Sequence, residues 1–183
     1  MKRTVLIVLA FGALAFSSSA YAQSNAQLIE GALSAAPGRA REGAAVIKWA
    51  ADYTYTTIKE GTNALVCYDR TGERDRQPFD VQCTSEMNLD RVAQNRRFHA
   101  ESTDAAGERE LVAAAGRNGT RVKAEFGSPF ITRRGADAAS ARNHTTYAMP
   151  GATTASTGFP EDRSQGGAYI MAAGTTEAHL MTP

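Results

Sequence analysis

Residues 44–69 read Ala-Ala-Val-Ile-Lys-Trp-Ala-Ala-Asp-Tyr-Thr-Tyr-Thr-Thr-Ile-Lys-Glu-Gly-Thr-Asn-Ala-Leu-Val-Cys-Tyr-Asp and decide the fold class. Apolar and β-branched residues gather at Val46–Trp49, Tyr53–Ile58 and Leu65–Tyr68, separated by Ala51-Asp52 and by Glu60-Gly61-Thr62-Asn63. Short β-rich runs divided by turn formers predict three strands, in outline a β-meander. Tyr53, Tyr55 and Thr57 fall on one side of the second strand and Thr54, Thr56 and Ile58 on the other, which suits one partly wet face. The stretch holds the only Trp and the first of two cysteines.

Downstream, Ser85 or Asn88 can cap a helix running to about residue 99, with Leu89, Val92 and Ala93 as its apolar stripe. A second helix is predicted from Thr103 or Asp104 to Ala115, ended by Gly116, Asn118 and Gly119. Arg91, Arg96, Arg97, Arg109 and Arg117 read as solvated helix faces. Residues 121–131 alternate enough for a strand, 132–142 read as loop, and 144–149, 168–173 and 178–181 as strands. Upstream, Ser24 and Gln27 form a possible capping box, and Leu28, Ile29, Ala32, Leu33 and Ala36 recur at helical spacing until Pro37-Gly38. Helices placed between groups of strands, without βα alternation, predict an α+β domain. Its mainly antiparallel sheet would join the N-terminal meander to the C-terminal strands, with helices segregated to one face or end.

The first 22 residues have the form of a secretory signal. Lys2 and Arg3 are followed by an apolar run from Val5 to Phe16 and by the small residues of Ala20-Tyr21-Ala22. The run is short of the roughly 20 residues that cross a bilayer, so no stable membrane anchor is expected after cleavage. This leaves residues 23–183 as a single α+β domain, periplasmic or secreted. The signal holds two of the 20 basic and none of the 19 acidic residues, so the mature chain carries a net charge of −1. Without a basic excess, nucleic acid is a poor partner.

Two cysteines in an exported chain predict a disulfide between Cys67 and Cys83. Closing a loop of that size contributes roughly 3 kcal/mol in the chain-entropy account. A reactive-thiol role would need a Cys-x-x-Cys pair or a nearby base, and neither is visible.

Several blocks together resemble a family of uncharacterised exported bacterial proteins: Ala32-Leu33-Ser34-Ala35-Ala36-Pro37, a strand ending in Trp49, Ile58-Lys59-Glu60-Gly61-Thr62-Asn63 leading to Cys67, then Cys83, and the terminal Ala178-His179-Leu180-Met181. The family usually has Gly-Trp where this chain has Ala64-Leu65, and a proline at the place of Ala178. The resemblance implies an exported single domain with a disulfide. It carries no activity.

Motifs for chemistry are sparse. His99, His144 and His179 stand far apart, no ligand-spaced pair suggests a metal, and no nucleophile elbow or phosphate-binding loop is present, so no cofactor is expected. Glu60, Asn63 and His179 remain as a candidate pocket, Glu60 because a carboxylate beside a buried strand must face water or find a partner. The favoured function is noncatalytic binding of a small molecule or an envelope protein. The alternative is an enzyme with His179 as general base and Glu60 as its orienting carboxylate. Residues 150–167 hold one large apolar side chain, Phe159, and read as a mobile segment that could border a site. N-terminal sequencing of the exported protein should begin at Gln23; an intact Met1 would contradict the signal.

Overall fold

The structure, a computed structural model, describes residues 25–182. The expected signal and the Ser24 cap lie outside them. Helical residues 25–33 (α1) lead through a short α2 (Gly38–Arg41) into β1 (Ala45–Trp49), β2 (Tyr55–Lys59) and β3 (Leu65–Asp69). After β4 (Phe79–Ser85) come α3 (Leu89–Glu101) and α4 (Ala105–Arg117), then β5 (Pro129–Gly135), β6 (Arg142–Ala148), α5 (Thr154–Thr157), β7 (Tyr169–Met171) and β8 (His179–Met181). The eight strands form one sheet in the order β2-β1-β3-β4-β5-β6-β8-β7. All pairings are antiparallel except β1 with β3. The α+β class therefore holds.

The meander does not. β1 and β2 form the expected hairpin, opened by a turn in which Asp52 accepts from the Thr54 amide and Tyr53 takes φ 69°, so β2 starts later than its tyrosines suggest. The chain then crosses the start of β1 and lays β3 along its other side, parallel, with Ala45 opposite Val66 and Val46 opposite Cys67. Residues 60–64 make this crossing in close contact. The Thr62 and Asn63 amides both donate to the Gly43 carbonyl, at 2.7 and 3.0 Å. Asn63 donates through Nδ2 to the Ala40 carbonyl at 2.9 Å and accepts from the Leu65 amide at 3.0 Å. Lys59 Nζ donates to the Glu42 and Ala44 carbonyls at 2.9 and 2.7 Å. A Cβ on Gly61 would lie 2.6 Å from the Ala45 nitrogen, closer than such atoms approach, so only glycine fits.

Parallel placement of β3 puts Cys67 at the middle of the sheet. Cys83 lies directly opposite it on β4, their Cα atoms 4.0 Å apart, and the two are bonded. β4 itself is a strand that composition hides, because Asp80, Gln82 and Thr84 alternate with its apolar residues. Each polar side chain is satisfied across the sheet: Asp80 by Arg70, Gln82 by the Tyr68 hydroxyl and Thr132, and Thr84 by the Pro129 carbonyl. β5 likewise occupies residues 129–135, the last four of them expected as loop, since pairing on both sides carries Arg133 and Arg134 into the ladder. Residues 121–126, expected as strand, are irregular. The Val122 and Glu125 amides are taken by the side chains of Gln94 and Asn88 on the α3 side, which leaves them unavailable to a strand partner.

The helices are divided between the two faces rather than gathered on one. Ala32, Ala35 and Ala36, in and just after α1, pack on Val46, Cys67, Val81, Cys83 and Ile131. Leu89 and Val92 of α3 pack on Ile47, Val66 and Tyr68 of the opposite face. The reason is the pleat: β1 and β3 present apolar residues at consecutive positions, so both faces need cover. A third, smaller core joins Ala152, Ile170 and Ala178 with Phe159 and Leu180. Phe159 thus anchors residues 150–167, aided by the capping box of Thr153 with Ser156 and by the Ile170 amide bonding the Pro160 carbonyl.

Two substitutions probe this core. Gly61→Ala should cost about 1–3 kcal/mol through overpacking at the crossing, and Cys83→Ala about 2–4 kcal/mol through loss of the bridge. Urea denaturation of each variant measures both; an unchanged midpoint for Gly61→Ala would refute the tight crossing.

Candidate binding site

The structure does not bring Glu60, Asn63 and His179 together. Asn63 is spent on backbone partners at the crossing, and Glu60 is exposed beside it. Both line a hollow of about 350 Å³ with Tyr55, Thr57 and Glu86, and His179 is not among its walls. His179 sits on β8, with Nδ1 2.8 Å from the Glu177 carbonyl oxygen. Three strands separate β8 from β3, so the two places are four strand spacings apart, about 19 Å along the sheet. The pairing that motivated a general base and its orienting carboxylate is therefore absent from the geometry. Among the described residues no group of three or more His, Cys, Asp or Glu side chains could hold a metal ion.

A larger groove lies elsewhere, between α4 and the turn joining β7 to β8. Asp104 starts α4 by accepting from the Ala106 and Gly107 amides at 3.0 and 2.8 Å, which places a ladder of small residues along the helix. Val112, Ala113 and Gly116 face Ala172, Gly174 and Thr176 across a space of about 850 Å³. The turn comes close at one end, where a Cβ on Gly116 would meet Thr176 Oγ1 at 3.4 Å. On the opposite wall the backbone doubles back sharply: Ala172 has φ 56° and Gly174 φ 75°. The volume falls within the range of ligand pockets, the lining is of small and apolar residues, and Glu108, Arg109, Arg117 and Glu177 stand among them.

The turn is held by a buried ion cluster that the sequence did not announce. Arg121 Nε donates to Glu177 Oε1 at 2.8 Å, and Arg91 Nη2 donates to Glu177 Oε2 at 2.7 Å. Arg91 also donates to the Val122 carbonyl, and Arg121 to Gln94 and Asn95. Both arginines are buried, so Arg91 is not the solvated helix residue it was expected to be. One hint was available: Asn88, Arg91 and Asn95 recur at three- and four-residue spacing beside the apolar stripe, placing polar groups on the inner side of α3. Burial works to raise the Glu177 carboxyl, but the Arg121 hydrogen bond and the charges of Arg91 and Arg121 outweigh it and hold it below its ordinary value of 4.5. The Arg91 guanidinium is shifted down, chiefly by burial and then by the Arg121 charge, with Glu177 opposing. Two cations share one carboxylate, which leaves a positive excess beneath the turn.

A lowered carboxyl value means that the stabilisation by Glu177 is complete above about pH 4.5 and is lost as pH falls through its folded-state value. Glu177→Gln should therefore cost about 2–3 kcal/mol near neutrality, less than for a fully enclosed pair because Glu177 is a third exposed. The gap between variant and wild type should close on acidification below pH 4.5, as read by urea midpoints across pH; a constant gap would refute the role of its charge.

No protein-family model, no curated protein and no solved structure matches the chain, so its geometry and chemistry are the ground for a functional reading.

Proposed function

We propose that the protein is an exported, noncatalytic domain that binds a small amphipathic anion in the groove between α4 and the 172–177 turn. The observation that carries this reading is the groove itself: about 850 Å³, walled by Val112, Ala113, Gly116 and Ala172, with Arg109 free of any ion pair among the described residues at its rim. Its acidic residues are engaged. Glu108 Oε2 is 2.8 Å from His99 Nδ1, and Glu177 lies between two arginines. Arg117 pairs with Glu110 in the open, while Arg109 is in no ion pair among the described residues. An apolar body seated on the small residues, with a carboxylate or sulfonate reaching Arg109, matches this lining.

Export is supported by the N-terminal signal pattern, by the Cys67–Cys83 disulfide and by the resemblance to exported bacterial proteins. No helix among the described residues is long and apolar enough to cross a membrane. An envelope protein laid along α4 is the competing occupant, and the test separates the two.

Anilinonaphthalene sulfonate, an apolar anion, serves as the probe. Wild-type protein should bind it saturably; Ala113→Trp, which fills the groove from an exposed helix position, should abolish saturation, and Arg109→Glu should weaken binding about fivefold, or ~1 kcal/mol. Equal binding by all three proteins would overturn the proposal, and retention of an envelope protein by wild type with no dye binding would favour the competitor.

A further inference from the structure

The one parallel pairing of the sheet is also its shortest. β1 and β3 pair only at Ala45 with Val66 and at Val46 with Cys67, although β1 runs on to Trp49 and β3 to Asp69. The chain leaves these two ends in opposite directions, β1 turning outward to β2 and β3 turning the other way to β4. Beyond Val46 and Cys67 the strands part, and a crevice of about 330 Å³ opens there, sharing no wall residue with the groove at α4. Open α/β sheets place ligands at the carboxyl ends of neighbouring strands whose connections diverge in this way. The volume lies at the lower end of the roughly 300–1,000 Å³ of ligand pockets.

The break leaves main-chain groups unanswered within the sheet rather than at its edge. The Ala50 amide donates to the Thr54 carbonyl, so along β1 the main-chain groups of Lys48 turn to β2 and those of Ile47 and Trp49 to β3. The Arg70 amide donates to the Asp80 carbonyl, so those of Asp69 turn to β1. Continued pairing would join the Asp69 amide to the Ile47 carbonyl and the Trp49 amide to the Asp69 carbonyl. The ladder stops short of both, and none of these four groups has another partner among the described residues. Side chains are unpaired at the same place. Lys48 and Asp69 stand at matching positions two beyond Val46 and Cys67, on one face by alternation, yet neither is in an ion pair among the described residues. Asp69 accepts from the Thr71 amide with one carboxylate oxygen at 2.7 Å, and the other has no partner there. The remaining charges on the walls, Glu73 and Arg96, answer each other.

We propose that this crevice binds one free α-amino acid, a zwitterion with an apolar side chain, leucine being the representative. Its ammonium meets the Asp69 carboxylate and the Ile47 carbonyl, and its carboxylate meets the Lys48 ammonium and the Trp49 amide. The charged ends of the ligand thereby close the gap in the ladder. The lining carries two cations, Lys48 and Arg96, and two anions, Asp69 and Glu73, which suits a ligand of no net charge. Leu28, Ala32, Val46 and Ile58 supply an apolar wall for the side chain. Trp49 is a wall of the crevice and the only tryptophan, so its emission reports on occupancy.

Calorimetric titration of the protein with L-leucine, followed in parallel by Trp49 emission, tests the site. Leucine should bind saturably with a Kd below about 1 mM. Isocaproate, which lacks the ammonium, and isopentylamine, which lacks the carboxylate, should each bind about tenfold more weakly, because each leaves one charged wall group without a partner. Lys48→Gln, at an exposed position, should erase the advantage of leucine over isopentylamine. Asp69→Asn, which retains an oxygen for the Thr71 amide, should erase its advantage over isocaproate. Ala113→Trp, which fills the groove at α4, should bind leucine as wild type does, so the two sites fail or stand separately. No saturable binding of leucine, equal affinity for leucine and its two analogues, an advantage undiminished in the Lys48 and Asp69 variants, or loss of leucine binding in Ala113→Trp would each overturn the proposal.

Discussion

The Gly43 carbonyl, accepting from two consecutive amides of the segment that passes over it, is the contact on which the sheet depends. It lets the chain leave the hairpin and return on the far side of β1, and it works only because Gly61 carries no side chain at the point of closest approach. Everything central follows from that crossing. β3 becomes an interior strand, Cys67 comes to face Cys83, and β4 and β5 can add in antiparallel register. Were β3 to follow β2 as in a simple meander, Cys67 would lie on the other side of the hairpin, with β2 between it and β1.

The interior combines dry and charged parts. Around the disulfide the packing is apolar and made of small residues, Ala32, Ala35 and Ala36 against Val46, Val81 and Ile131. On the other face, α3 lies on the sheet through Leu89 and Val92 but also brings Asn88, Arg91 and Asn95 inward. Asn88 is fully buried and satisfied by Thr84, Ser128 and the Glu125 amide. Such satisfied polar groups fix how segments seat, because a shifted helix would leave them without partners. They explain how residues 121–128 keep a defined path without strand partners.

Legibility in the sequence followed the physics of each signal. β1, β3 and the hairpin turn were readable because β-branched and apolar residues cluster there, and α4 because Asp104 and the alanine run mark it. β4 was not, since a central strand whose polar residues pair across the sheet resembles a charged loop. The Glu60-Gly61-Thr62-Asn63 block drew attention as a possible site and is instead a crossing: Gly61 is selected by a close approach and Asn63 by two backbone partners. The groove and its ion cluster were hidden because Arg91, Arg121 and Glu177 are far apart in the chain, and only the fold brings them together. Long-range charge pairing leaves no periodicity to read.

The ion cluster also imposes an order on assembly. A chain is made from its N-terminus, so Arg91 and Arg121 exist well before Glu177, which stands near the C-terminal end of the described residues. Until that carboxylate arrives, the first turn of α3 and the segment at Arg121 cannot be buried without burying two unanswered cations. The first strands and the disulfide pair can form early, whereas α3, α4 and the C-terminal strands must close together at the end. A chain cut short before residue 177 would keep a formed centre and an open flank, displaying its arginines to whatever proteases survey incomplete proteins.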